Sequence, residues 1–488
     1  MSEQLVQAVF SGLNPLAVWR HFSTLCSIPR QSKQEHQLRE HLKQWAEKLG
    51  LETSVDPVGN LIILKPASVG REGVPGVILQ GHLDMVCQKN AGSNHDFSRD
   101  PIIPILNNGW LVAEETTLGA DNGIGVALIL AVLEDADLQH GPLEVLLTVD
   151  EEAGMGGAHG LVEGALQGKL MLNLDTEVWG EFYLGCAGGA DVDIERMAPS
   201  EPLPQGYQAY CLSLHGLRGG HSGVDIHEER GNAIKLLVRA LNELLASVPF
   251  RLAGLEGGTA RNALPREASA VIVLPGDKAL ELETVVKQIE LILREELSGI
   301  DENLRVQLRA YAVEAVLSEN EQNFWLNTLN AAPHGVYRMS RQVVGVVETS
   351  NNLGMVDIKP GRACCNFMVR SLRDSGTLAL ANEIRSLFAL AGTGVKISGH
   401  YPGWVPNPDS ALLALCQQVY RENFDAESQV QVIHAGLECG IIGAKYPGLD
   451  TVSFGPNIRG AHAPGESVEV ASVAHCWKLL TAILAAVR

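Results

Sequence analysis

The sequence predicts an α/β protein built as one discontinuous domain, a mixed sheet flanked by helices, with a second α+β module inserted into it. Three observations predict this. Short apolar runs alternate with helical stretches from Asn60 to Leu174. Two proline-rich connectors, Ala198–Pro204 and Tyr401–Pro408, bracket a stretch of different texture. Residues suited to a single site lie on both sides of that stretch. The reading places the discontinuous domain at 1–195 and 400–488 and the insertion at 196–399.

Taken in order, Lys33–Gly50 reads as an amphipathic helix, with Leu38, Leu42, Trp45 and Leu49 at three- and four-residue steps and Gly50 as the stop. Asn60–Leu64, Val77–Gln80, Leu143–Val149 and Leu170–Leu174 read as buried strands, with a helical run at Gly123–Glu134. Strands alternating with helices suit a sheet covered on both faces. Within the insertion, Ala209–Leu214, Ala268–Leu274 and Ala363–Val369 read as strands and Asn232–Leu245 as a helix. Gly257–Val273 and Glu348–Val369 are faintly alike, each an Asn-bearing turn leading into a strand, which raises an internal duplication. A strand at Thr451–Phe454 and a helix from about Val470 complete the first domain.

Bulk properties exclude several classes. The 488 residues exceed one ordinary core, and 46% hydrophobic with 19% charged is globular composition. A net charge of -20 opposes a phosphate-tracking nucleic-acid binder. The start Met1-Ser2-Glu3-Gln4 lacks the pattern of a signal peptide, and neither Ile124–Leu133 nor Leu479–Val487 reaches the roughly 18 residues of a membrane span. Nine cysteines without C-x-x-C spacing fit free thiols, and the expected location is the cytoplasm.

Five segments share a pattern in which an apolar strand gives way to a His or carboxylate among small residues. They contain His82, Asp121, the Glu151–Glu152 pair, Asp175 and His462. Strand ends of an α/β sheet line one crevice, so these groups are expected to converge there. Converging carboxylates repel unless cations lie between them. Imidazole plus carboxylate without thiolate fits zinc, with cobalt or manganese as substitutes. Two His and three carboxylates exceed one tetrahedral zinc with an open position but suit two metals sharing a carboxylate. Asp84, two residues beyond His82, is placed to fix its tautomer. Glu151 and Glu152, on opposite faces of an extended segment, divide between proton transfer and metal binding. A lone His or Asp at a strand end is ordinarily a capped loop residue, so the weight rests on all five together. Gly123-Ile124-Gly125 lacks the ending of a phosphate loop, and neither G-x-S-x-G nor H-E-x-x-H occurs.

GHLDMV, TTLGADNGIG, TVDEEAGM, LNLDTE and GAHAPGE resemble, in order and spacing, the metal-site motifs of the aminoacylase/carboxypeptidase-like co-catalytic zinc metallopeptidases. GCAGGAD, GLRGGHSGVDIH, GGTARNALPREA, YPGW and VIHAGLECG extend the likeness over nearly the whole chain, toward the aminoacyl-histidine dipeptidase group. The resemblance implies two Zn2+ per chain, with His82 and Glu152, His462 and Asp175 divided between them, Asp121 bridging, and a cis Asp121–Asn122 peptide. It implies Glu151 as general base toward a zinc-bridging water, Asp84 orienting His82, and His221 of an inserted lid domain stabilising the oxyanion. Asn262 and Arg370 would contact the substrate backbone and carboxylate, and Glu438 the free amine. The implied reaction is hydrolysis of unblocked dipeptides, preferably Xaa-His and including β-alanyl-histidine, by a homodimer. Two other readings remain: a deacylase of N-acylated amino acids, distinguished by its blocked substrate, and a non-catalytic metal-binding scaffold, which would be expected to have lost Glu151.

Overall fold

Residues 9–488 are described by a computed structural model. The apolar runs form an eight-stranded sheet in the order Glu52–Val55, Leu61–Lys65, Leu143–Thr148, Val77–His82, Leu170–Asn173, Asp450–Ser453, Glu181–Cys186, Gln429–Ile433. We label its four central parallel strands β1 (Val77–His82), β2 (Leu143–Thr148), β3 (Leu170–Asn173) and β4 (Asp450–Ser453). Burial of β1 along its whole length explains its unbroken apolar run. The helix α1 (Ala120–Glu134) is likewise buried from Asn122 to Leu133, so it shows no polar stripe. It packs against β1 and against the helix Leu16–Ser27, whose Trp19 and Phe22 are fully buried. Truncating Phe22 to Ala would cost about 3–5 kcal/mol. Gly125 serves close packing: a Cβ there would run into the Leu174 carbonyl.

The expected helix over 33–50 is present as His36–Lys48, and the last helix spans Val470–Ala486. No helix among the described residues is long and apolar enough to cross a membrane, and the described cysteines form no disulfide with one another.

The chain divides into two compact units. One comprises residues through Gly185, Pro406–Val432 and Leu437–Arg488; the other comprises Cys186–Val405 and Ile433–Gly436. These bounds differ from the expected 195/196 and 399/400 divisions, and the short return at 433–436 was not anticipated. It joins the second unit because the Ala187 N–H lies 3.0 Å from both the Ile433 and Ala435 carbonyls and His434 Nε2 bonds Ser350 Oγ at 2.8 Å.

The second unit is α+β. Its main sheet is antiparallel, in the order Arg305–Tyr311, Tyr207–His215, Ala268–Pro275, Arg251–Gly257, Val347–Lys359, Arg362–Ser371, Gly188–Arg196, Val395–Tyr401, with Gly335–Met339 beside Val347–Lys359. Leu237, Leu241, Ile289, Trp325 and Phe388 from its helices bury against Val192, Leu212, Ile272 and Phe367 of the sheet. The expected turn at Glu348 is instead part of the long strand Val347–Lys359. Its asparagines are buried and bonded: Asn352 Nδ2 donates to the Arg261 and Ala263 carbonyls at 3.1 and 2.9 Å. The two faintly similar segments therefore begin in different structures, a turn after Gly257 and a strand at Val347.

Candidate metal centre

Parallel pairing sends the carboxyl ends of β1, β2 and β3 to one edge of the sheet. His82 is the last residue of β1; Glu151 and Glu152 follow the end of β2, and Asp175 follows the end of β3. Asp121 enters from the start of α1, where its ψ of 115° breaks the helix and the Asp121–Asn122 peptide is cis. His462 lies in the loop between Ile458–Arg459 and Ser467–Glu469.

Asp121 stands between the two imidazoles: Oδ1 is 3.2 Å from His82 Nε2 and Oδ2 is 3.2 Å from His462 Nε2. His82 Nε2 is also 3.3 Å from Asp175, and His462 Nε2 is 3.0 Å from Glu152. His82, Asp121 and Glu152 offer ligand atoms within 4.8 Å of one another. These distances group His82 with Asp175 and His462 with Glu152. The expected division set His82 with Glu152 and His462 with Asp175, and the nearest contacts favour the other one.

The residues fit a pair of cations. Glu152 Oε1 is buried with no hydrogen-bond partner. The carboxylates draw both imidazoles toward the charged form: Asp121 and Glu152 raise His462 to about 11, and Asp175 and Asp121 raise His82 although its burial opposes charge. The cluster thus demands positive charge at its centre, and a donor set of imidazole and carboxylate oxygens matches zinc.

Asp84 is fully buried and organises the groups around it. Its carboxylate accepts from the Glu151 and Glu152 backbone N–H groups at 3.0 and 3.1 Å and from Ser32 Oγ at 2.8 Å, and lies 3.5 Å from His82 Nδ1. Burial pushes its pKa up, but His82 and these donors hold it down at about 2. The Glu pair sits in a turn closed by the Met155 N–H on the Glu151 carbonyl at 2.8 Å, not in the expected extended segment. Burial, with Asp175, Glu438 and Glu152 adding to it, raises the Glu151 carboxyl well above the usual range.

Two supporting residues were missed in the sequence. Glu466, buried, takes the backbone N–H groups of Leu118, Gly119, Ala120 and Asp121 at 2.7, 2.9, 2.7 and 3.2 Å, and so fixes the segment that delivers Asp121. Its signal was its place in GAHAPGE, four residues after His462. Arg30, also buried, donates to the Leu83 and Asp84 carbonyls at 3.1 and 2.9 Å and to the Gly119 carbonyl, tying the end of β1 to the same segment. Glu438, expected at a substrate amine, is instead 0% exposed, with Oε2 accepting from Gln80 and Thr148 at 2.7 and 2.6 Å.

The second unit brings His221, Asn262 and Arg370 together. His221 pairs with Ala263, and the Asn262 carbonyl accepts the Ser222 N–H at 2.8 Å. His221 Nδ1 accepts from the Gly223 and Val224 N–H groups at 3.2 and 3.0 Å, which leaves the ring proton on Nε2. Arg370 Nη2 lies 3.5 Å from that nitrogen, and Nη1 donates to Tyr401 Oη at 2.8 Å. Burial and Arg370 lower His221 to about 4, so it is neutral at pH 7. Two donors held side by side suit neighbouring anionic oxygens.

Comparison with known proteins now decides the family. The model of Peptidase family M20/M25/M40 matches residues 78–486. The chain belongs to this family. The cytosol non-specific dipeptidase of Escherichia coli (strain K12) is 45% identical over 475 residues, 97% of this chain and 98% of that protein. The crystal structure of aminoacylhistidine dipeptidase from Vibrio alginolyticus matches with a TM-score of 0.89 at 42% identity, covering 98% of each chain. Aminopeptidase PepT from Bacillus cereus shares the fold, with a TM-score of 0.55 at 17% identity over 97% of this chain and 99% of that one. The α/β architecture and peptidase membership expected from the sequence both stand.

Proposed function

We propose that this chain hydrolyses unblocked dipeptides, with Xaa-His dipeptides such as β-alanyl-histidine among the preferred substrates, at a centre holding two zinc ions. The observation that carries the reading is Asp121, 3.2 Å from each of two imidazoles that each have a further carboxylate beside them. His82 and Asp175 would hold one ion, His462 and Glu152 the other, with Asp121 shared; cobalt or manganese would substitute. When bound, such ions polarise a peptide carbonyl and make water acidic enough to attack at neutral pH.

The chain's own groups supply the rest. The Glu151 carboxylate takes the proton of the attacking water and returns it to the leaving amine. Asp84 holds the Glu151 backbone in place and orients His82 through Nδ1. His221 offers its Nε2–H to the oxygen that becomes negative, where one preorganised donor contributes about 3–4 kcal/mol. Arg370 receives the substrate carboxylate, and Asn262 its backbone. Two near full-length relatives support dipeptide substrates, one named non-specific and one named for aminoacyl-histidine. The name of the first also supports a cytoplasmic location. The resemblance supports a homodimer assembled through the inserted unit.

Turnover of β-alanyl-histidine, glycyl-histidine, alanyl-alanine, a tripeptide and an N-acetyl amino acid tests the reading, each with zinc-loaded and chelated protein. Cleavage of dipeptides, fastest for Xaa-His, lost on chelation and restored by zinc, is expected. Equal rates for alanyl-alanine would remove the histidine preference; cleavage of only the N-acetyl compound would make the protein a deacylase. Glu151→Gln should retain both ions and lose turnover.

A further inference from the structure

We infer that Glu438 is a positioning residue of the metal centre: its carboxylate anchors Gln80 and Thr148, and through them the strand ends that carry His82 and the Glu151–Glu152 turn. The inference rests on the proposed two-ion reading. A row of buried polar side chains crosses the central strands just below the ligand row. Thr148 ends β2, Gln80 lies in β1, Asn173 ends β3 and Ser453 ends β4, each at most 1% exposed. Gln80 stands opposite Asn173 and Asn173 opposite Ser453 in register. Gln80 precedes His82 by two residues and so shares its face of the strand; Asn173 precedes Asp175 by two.

The row is bonded end to end. Ser453 Oγ donates to Asn173 Oδ1, Asn173 Nδ2 donates to Gln80 Oε1, and Gln80 Nε2 donates to Glu438 Oε2 at 2.7 Å. Thr148 Oγ1 donates to the same Glu438 oxygen at 2.6 Å and lies 3.3 Å from Gln80 Nε2. Glu438 is therefore the acceptor on which the row terminates. One acceptor oxygen is needed there, because both neighbours arrive as donors on the same atom. It stands first in the helix Glu438–Lys445, an end that favours negative charge. Without it, Gln80 Nε2 would lose its carboxylate partner at the centre of a buried network, where unmet donors are costly. The Gln80 amide, two residues from His82, would then be held only by Asn173 Nδ2 on its oxygen and by the 3.3 Å contact to Thr148 Oγ1. Oε1 of Glu438 has no partner, as an amine contact would require, but the side chain has no solvent exposure.

Zinc titration calorimetry on chelated protein, with dipeptide KM and kcat at saturating zinc, tests the assignment on Glu438→Ala, Glu438→Gln and Thr148→Val. Glu438→Ala and Thr148→Val should bind zinc roughly 10- to 100-fold more weakly, the range for loss of a group that orients ligands from behind. Glu438→Gln keeps an acceptor oxygen and should restore affinity to near wild type, with KM unchanged in all three. Wild-type affinity in Glu438→Ala, or a raised KM with affinity intact, would overturn the inference; the latter returns Glu438 to the substrate's amine. A Glu438→Gln as weak as the alanine variant would also overturn it. If Glu438→Ala does not fold by circular dichroism, Thr148→Val and Glu438→Gln decide. Wild-type protein that takes up no zinc would instead refute the proposed function itself.

Discussion

Replacing Asp84 by Asn tests how the centre is held, because the change is isosteric and its consequences are countable. Both carboxylate oxygens are engaged, one by the Glu151 N–H at 3.0 Å and the other by the Glu152 N–H at 3.1 Å. An amide offers one oxygen and one NH2, so whichever way it turns a donor faces a backbone donor. The loss is one charge-assisted hydrogen bond, about 1.5–3 kcal/mol, and one stranded N–H, about 1–3 kcal/mol. We expect Asp84→Asn to destabilise the chelated protein by about 3 kcal/mol in urea unfolding. Zinc affinity should fall roughly 10- to 100-fold, since His82 loses the carboxylate charge 3.5 Å from its Nδ1, keeping only the Asp84 main-chain carbonyl at 3.2 Å, and the Glu turn loses its anchor. The carboxyl is held at about 2, below its ordinary 3.8. Its stabilisation is therefore complete above 3.8 and lost as pH falls toward 2, and the variant should flatten that part of the acid-unfolding curve. Unchanged stability and unchanged zinc affinity would refute the anchoring role.

Glu466→Ala strands four backbone N–H groups at the start of α1 and should cost about 3–5 kcal/mol in urea unfolding, with turnover reduced by the displacement of Asp121. Wild-type turnover in that variant would remove Glu466 from the support of the site. Burial and Arg370 hold His434 at about 3, and burial and Lys235 hold His334 at about 4. The unfolded chain takes up their protons first as pH drops below 6.5, so stability falls on acidification, by about 2 kcal/mol per histidine between pH 6.5 and 5. His334→Gln should remove its own share of that loss, about 2 kcal/mol, in urea unfolding at the two pH values. Arg370→Ala should raise dipeptide KM at least tenfold and erase the preference for a free carboxylate over the C-terminal amide; an unchanged KM would exclude it as the carboxylate contact.

What the sequence made legible was local. His82, Asp121, Asp175 and His462 stand at or near the ends of elements, among small residues, and that pattern survives as text because each group needs a sharp exit from a strand or entry to a helix. The roles of Glu466 and Arg30 were not legible by the same logic, although Glu466 stood inside GAHAPGE. Each acts on a segment remote in the chain, Glu466 on Leu118–Asp121 and Arg30 on Leu83, Asp84 and Gly119, and nothing in its neighbours reports the partner. The return of residues 433–436 to the second unit was hidden because its hydrogen bonds run to Ala187, and no proline or glycine cluster marks the crossing. Glu438 is the instructive case. The resemblance assigned its carboxylate to a substrate amine, and only the burial of Gln80 and Thr148 against it shows that its donors come from the sheet. Both rows of the site, ligands at the strand ends and amides or hydroxyls behind them, use the same two-residue alternation of a strand. The alternation fixes which face a side chain takes, while the identity of its partner is set by strand order. Strand order, here β2-β1-β3-β4, is the one feature of this sheet that a single chain read end to end does not spell out.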